Sequence, residues 1–558
     1  MLLEMGHMLH INKAGRYILS VLLFISALSA SLSCTPDSPK TSILSTPTVD
    51  KPLVDLPPGK PVPDKLGDNE MFCTNIDDLV HAVSNPIINT IYLAKGEYRL
   101  STALDVDRSL SLYGPAGGGV IIYAANESRH ITITGSSVDL VFGGVSLDGE
   151  TSKYGDIIPP TVRTAGGIEI SFSGEGRYSI VGAVINGCYS ITGGGVHISK
   201  KHSAVLRHCF VLGNTATFGG GVYNDGTLTI IDCLIFGNEA TIGGGGIWNY
   251  EHAILTMTSG EISSNIGSPD NVHQDAWGYP GFYGGAGGVY NFGVFGLLGG
   301  TISNNTTTFS GGGVYNDGTF YMTGGEISRN NAELGGGGVD NAHGIFTMDN
   351  GVIFGNKATG AQYGGNGNGG GISSRAALIM NGGEISGNMA AGAGGGVYVD
   401  NFTMNGGVIA NNEAFDGGGV CVRSMHSSFV LNAGVICNNK AIGLFAWEGN
   451  GGGVYNDGNF TMTGGEIISN ESHLSGIDDA YLSGGGGVYS TGIFYLAGGV
   501  ISFNKAINGH GGGINNRGQT FTFTDGIIAS NEAAIGGGVY NNTSNCEHRL
   551  FIIVSFTP

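Results

Sequence analysis

The sequence predicts an all-β chain wound as a single-stranded, right-handed parallel β-helix, with three short strands in each coil of about 25 residues and an N-terminal capping helix. Three observations carry this. The octapeptide GGGVYNDG stands unchanged at 219–226, 311–318 and 451–458. An aliphatic residue follows the glycines at thirteen anchors from Val196 to Val539, spaced 23 to 26 residues apart where no insertion intervenes. Between anchors, an Ile or Val is followed three residues later by Asn, at Asn214, Asn238, Asn265, Asn305, Asn330, Asn356, Asn388, Asn412, Asn439, Asn470, Asn504 and Asn531.

The unit 311–335 shows why the elements are strands. Val314, Phe320, Met322 and Ile327 fall on alternating positions, broken by Asn-Asp-Gly and Gly-Gly, so three strands and three turns fit in it. Glycine is expected where the backbone takes positive φ or passes close to the next coil, and Asn is the other residue that tolerates the left-handed conformation. The repeated Asn is expected to form a hydrogen-bonded ladder, side chain to side chain, at the strand spacing of about 4.8 Å. A phosphate-cradling loop would lead into a helix, and none follows these glycines. A calcium-binding nonapeptide array has the wrong period.

Ahead of the strict repeat, Asn75 is placed to cap a short helix with Asp77 and Asp78 in its first turn and Ile76, Leu79, Val80 and Val83 on one face, ended by Pro86. Such a helix would plug the open end of the stack. Irregular coils follow to about residue 190, the regular repeats occupy 191–545, and 546–558 form a short tail.

Composition narrows the function classes. Gly 103 and Pro 15 make about a fifth of 558 residues, too little for a disordered low-complexity chain, and the Gly period of collagen is absent. The net charge is −20 with no basic run, which argues against a nucleic-acid partner. At the N-terminus, Lys13 and Arg16 precede an apolar run from Ile18 to Leu28, the pattern of an export signal over 1–33. The run ends in SLSC, which resembles a bacterial lipoprotein box, in the relaxed form seen in spirochaetes, with Cys34 as the lipidated residue. Ser31 stands where that family usually has Leu; plain secretion with cleavage near Ala30 is the alternative. Residues 34–70, rich in proline, read as an extended tether.

The stretch from IYLAKGEYRL to LDG resembles the first coils of pectin-lyase-like β-helix proteins. The GGGV and I-x-x-N pairs resemble the GG-aliphatic and F-x-x-N repeats of chlamydial polymorphic outer-membrane proteins. The resemblance covers about 72–545, and this fold hosts lyases, hydrolases and adhesins alike. Here the Phe of F-x-x-N is mostly Ile or Val, and the tail is too short for a barrel hairpin, so the expectation is a truncated copy or a lipid-anchored variant rather than an autotransporter.

Chemistry is sparsely signalled. Glu261, Glu326, Glu384 and Glu466 share one slot, with Thr301 and Val352 in it on intervening coils, which keeps carboxylates two coils apart. Gly509-His510-Gly511 resembles the Gly-His-Gly of polygalacturonases, without that family's Asn-Thr-Asp and Arg-Ile-Lys partners. His510, with Asp478 and Asp479 in the neighbouring insertion, is the weak catalytic candidate. Cys209 and Cys233 should stack on adjacent coils, as a disulfide or as two small residues in one slot. No metal site and no cofactor is indicated.

Long insertions occupy a single slot, between the Asn and the next glycines, at 266–286, 357–369, 440–450 and 471–485. Equal slots stack on one side of a solenoid, so these loops should share a face. They carry Trp277, Tyr279, Phe282, Tyr283, Tyr363, Phe445, Trp447 and Tyr481, suited to a sugar ring or a protein surface, or to packing under their own loops. A second column, Tyr223, Trp248, Tyr290, Tyr315, Tyr398, Tyr455, Tyr489 and Tyr540, is expected to stack for stability. The function expected is a non-catalytic adhesin or scaffold at a bacterial outer membrane or cell surface, held by its lipid alone. It would contact a host-cell or matrix surface protein or a polysaccharide; the alternative is a polysaccharide lyase or glycoside hydrolase.

Overall fold

The computed structural model describes residues 58–125, 127–150, 164–267, 285–360, 367–443, 449–473, 484–518 and 520–542, with backbone alone at 164–165, 546–548 and 553–554. All belong to one unit, Asp55–Pro558. The expected signal peptide, Cys34 and most of the tether lie outside the described residues.

One repeat makes one coil of a parallel β-solenoid. In the coil that starts at Val314, the strands are Val314–Asn316, Thr319–Met322 and Glu326–Ser328, here called a, b and c. Each pairs in parallel with its equivalent one coil on: Val314 faces Val339, Phe320 faces Phe346, and Ile327 faces Ile353. To these three the structure adds a fourth, d, Asn331–Ala332, which pairs with Lys357–Ala358 and belongs to a separate 14-stranded ladder. Strand d holds only two residues in this coil, too short for an alternating pattern to betray it.

The inward residues match the sequence pattern. Val314, Phe320, Met322 and Ile327 are fully buried. Because like stacks on like, rings align: Phe295, Phe320 and Phe346 lie 4.9 and 4.5 Å apart with planes within 12°. Phe402, Phe429, Phe460 and Phe494 repeat the column at 4.7 to 4.9 Å. Each such ring contributes about 2 to 3 kcal/mol by burial, and adjacent rings pack at offset-stacking distance.

Two of the glycines in GGGV have distinct reasons. Gly311 bends the chain from d into a at φ 76°, and a Cβ on Gly312 would overlap the carbonyl oxygen of Gly337 one coil away. The left-handed asparagine is displaced by one from expectation. The residue before the ladder Asn takes positive φ in all twelve coils, and in eight it is not glycine: Ser264, Asn304, Arg329, Asn411, Asn438, Ser469, Phe503 and Ser530, at 53 to 57°. A β-carbon there costs roughly 1 kcal/mol.

The asparagine itself holds the corner. Asn305 Nδ2 donates to Asn330 Oδ1 at 2.9 Å, the Asn305 backbone N–H donates to the same oxygen at 3.0 Å, and Asn330 Nδ2 also reaches Ile302 O at 2.9 Å. The pattern runs from Asn214 to Asn531, and Cys188 N–H starts it on Asn214 Oδ1 at 2.9 Å. A second buried ladder, which sequence reasoning took for a turn, stands in the VYN strands. Asn224, Asn249, Asn291, Asn316 and Asn341 pass Nδ2 to Oδ1 at 2.7 to 2.8 Å, ending on Ser374 Oγ.

The helix Ile76–Ser84 forms as expected. Asn75 accepts from Asp78 N–H at 3.0 Å, and two hydrogen bonds from Thr74 hold the Asp78 carboxyl below its usual range. Its buried face is Leu79, Ala82 and Val83, whereas Val80 is 43% exposed, because the helix lies on the first strands by its i, i+3, i+4 stripe. Arg108 closes the far end, donating to Asn85 O at 2.6 Å and Ile88 O at 2.8 Å.

Asn330→Ala is expected to cost about 2 to 4 kcal/mol, because it orphans two donors on Asn305 and the Ile302 carbonyl. Asn405→Ala, in an exposed ladder, should stay within about 0.5 kcal/mol. Denaturant unfolding of the two variants checks this, and equal losses would refute it. Phe503→Gly should gain about 1 kcal/mol by relieving a left-handed β-carbon on an exposed ring.

Candidate functional site

The aromatic residues proposed for binding, Trp277, Tyr279, Phe282, Tyr283, Tyr363, Phe445, Trp447 and Tyr481, lie outside the described residues, as do Asp478 and Asp479. Their roots are described. The insertions leave from the d strands Ile266–Gly267, Lys357–Ala358, Lys440–Ile442 and Glu471–His473, all rungs of the one 14-stranded ladder. From the first root to the last is seven coil steps, about 34 Å at strand spacing.

The tyrosine column lies on the outer side of the a strands, in register from Tyr223 through Trp248 and Tyr290 to Tyr315. It is an outer core rather than an open platform. Trp248 and Tyr290 stack at 4.3 Å, Tyr290 and Tyr315 at 4.6 Å, and Ala286 and Ala342 pack with them against Phe218, Ile242 and Phe292. Farther along, Tyr455 and Tyr489 stack at 5.4 Å. His510 ends its d strand with its ring on Tyr540, centroids 4.6 Å apart. Burial, then Arg517, pushes its pKa down, so the imidazole is neutral at pH 7.

The column is interrupted at Asp340 and Ser373, at Cys421 and at Asn515; the first interruption falls where GGGVYNDG becomes GGGVDNAHG. Asp340 follows Tyr315 in register and precedes Ser373, and it is 1% exposed. Arg375 Nη2 lies 3.3 Å from Asp340 Oδ2, while Oδ1 is buried without a hydrogen bond. Desolvation raises the Asp340 pKa; Arg375 and the hydroxyls of Ser310 and Ser373 oppose the shift. At the rim, His343 Nδ1 sits 2.7 Å from Asp317 Oδ1. Burial raises the Tyr315 phenol, helped by Asp340 and then Asp317. An acid, a histidine and a guanidinium thus meet on one side of three consecutive coils. Sequence reasoning missed this cluster; its signal was the Asp that replaces an aromatic in the column.

The remaining candidates separate. Register alternates Glu261, Thr301, Glu326, Val352 and Glu384, then sets Val408 and Val435 before Glu466, so no two carboxylates of that column are adjacent. The disulfide considered between Cys209 and Cys233 is not formed. Both are free, buried thiols on adjacent coils, where Cys209 N–H donates to Cys233 Sγ at 3.3 Å. In-register neighbours point their side chains in parallel, and each thiol bonds the carbonyl two residues before it, Arg207 at 3.4 Å and Ile231 at 3.3 Å. Among the described residues no group of three His, Cys, Asp or Glu is arranged to hold a metal ion.

Fold and site define a β-solenoid with an interrupted outer aromatic column. No family model, curated protein or solved structure matches the chain.

Asp340 makes stability depend on pH in a stated direction. Its carboxyl is raised in the fold, so the proton is held more tightly there than in the unfolded chain. The group adds no penalty below about pH 4, and stability falls as pH rises from there through the folded pKa. Asp340→Asn should therefore gain on the parent between pH 4 and pH 7 in denaturant unfolding. A difference independent of pH would show that the carboxyl is not perturbed.

Proposed function

We propose that the chain is an exported, lipid-tethered scaffold or adhesin of a bacterial surface, with its inserted loops as the contact face. The observation that supports this most directly is the rooting of four insertions in one ladder of a rigid, in-register stack. Such a stack presents separate loops to one side at fixed spacing, which favours a broad macromolecular surface over a small pocket. The GG-aliphatic and I-x-x-N repeats, read as relatives of polymorphic outer-membrane proteins, point the same way. A host-cell or matrix protein, or a polysaccharide, is the partner class. The lipid on Cys34 would be the membrane contact.

Trp277→Ala combined with Trp447→Ala is expected to weaken binding to cells, matrix proteins or polysaccharides about tenfold or more while leaving the melting temperature in place. Unchanged binding to every surface that the parent recognises would sink the loop reading. Cys34→Ser should move the protein from the membrane fraction to the soluble one.

One observation favours a second reading, cleavage of a polysaccharide. Asp317, Asp340, His343 and Arg375 bring an acid with raised pKa, a histidine and a cation to three successive coils. Incubation with uronate-containing and neutral polysaccharides, scored by new chain ends, decides between the two. Release abolished by Asp340→Asn makes the protein an enzyme, and no release from any substrate leaves the scaffold.

A further inference from the structure

Charge is distributed unevenly around the coil. Seven of the fourteen d strands open with a charged residue, Glu239, Lys357, Glu413, Lys440, Glu471, Lys505 or Glu532, and the c strands carry four glutamates on their outer side. The b strands differ. Eleven of them, from Thr227–Ile231 to Thr520–Ala529, pair in unbroken parallel succession. Alternate residues from Leu228 to Phe521 fill the core, and the residues between them point outward.

The eleven strands share two outward positions, which hold twenty-two residues from Thr227 and Thr229 to Thr520 and Thr522. None is charged. Charged residues make up 12% of the chain, so about three would be expected at these positions. Instead the face is threonine-rich and aliphatic, and Ile254, Val294, Tyr321, Ile345, Ile493 and Tyr495 are 37 to 48% exposed on it. Charge depletion with exposed aromatic and aliphatic side chains is the compositional mark of an interface core. Its rim is polar: Asp349, Asn381, Asn405 and Asn432 form the exposed ladder along one side.

We infer that this face is the contact between two copies of the chain, packed sheet against sheet. Three arguments select a second copy. Flat sheet faces pack on one another about 10 Å apart without any edge being needed. The face is about 48 Å long and roughly 14 Å wide with its side chains, so it offers near 700 Å² per copy, close to the about 800 Å² per partner of a stable interface. Each copy carries a formal charge of −20, and meeting by the b faces is the approach that sets no like charges opposite one another. The d ladder with its loop roots is a separate sheet and stays clear of this contact.

Sedimentation of the full chain, with Cys34→Ser so that no acyl group draws it into micelles, tests the inference. A reversible dimer of the 57.2 kDa chain is expected. Thr347→Glu with Thr403→Glu places charges in the middle of the face and should raise the dissociation constant about 100-fold or more. Thr306→Glu, on the exposed d strand, should leave it unchanged. Ala377 is on the central b strand, and Ala377→Cys should give a disulfide-linked dimer on oxidation beyond the parent's background. This second variant introduces no charge, so it answers even if the glutamate variant fails to fold. A parent that stays monomeric at tens of micromolar, a dimer indifferent to the b-face glutamates, or no cross-link through Ala377→Cys would each overturn the inference.

Discussion

A side-chain amide shared between neighbouring coils is the contact on which the rest of the solenoid depends. Each ladder asparagine gives its oxygen to two donors from the coil before it, and its nitrogen both to the next asparagine and to a carbonyl one coil behind. The corner it closes contains a residue in the left-handed region, and in two thirds of the coils that residue has a β-carbon. Backbone there would be strained and partly unpaired without the amide, since a buried N–H without a partner costs more than the bond itself gains. The ladder fixes the angle between strands c and d, and so fixes where d runs and where the insertions are rooted.

Stacking then does for side chains what the ladder does for the corner. Once coils repeat in register, inward positions form apolar columns, and over long runs phenylalanine lies on phenylalanine at ring-packing distance. Columns tolerate substitution unequally. Where Asp340 replaces an aromatic in the outer column, burial raises its pKa and a guanidinium is recruited from the next coil. That break concentrates most of the chemistry the described residues offer.

Much of the architecture was legible because it is periodic. The anchor valines, the I-x-x-N asparagines, the alternation of Phe320 and Met322, and the Asn75 cap each carry a local signal that does not depend on distant contacts. Other features left weaker traces. Strand d is too short to alternate, the VYN asparagine looks like part of a turn signal, and the residue before the ladder Asn has no fixed identity from coil to coil. The Asp317, Asp340, His343 and Arg375 group arises only when three coils, 59 residues of sequence, are laid over one another. The free state of Cys209 and Cys233 depends on the direction of two side chains, which spacing does not encode.

In the two buried ladders the amide-to-amide bonds all run the same way, each coil donating forward to the next. A coil removed or duplicated as a whole therefore leaves its neighbours facing like partners, whereas a cut of one residue inside a strand shifts that coil out of register with both neighbours. Length in such a molecule changes by whole units of about 4.8 Å. Evolution can thus slide the loop roots nearer to or farther from the helix-capped end in discrete steps, altering reach without redesigning any contact.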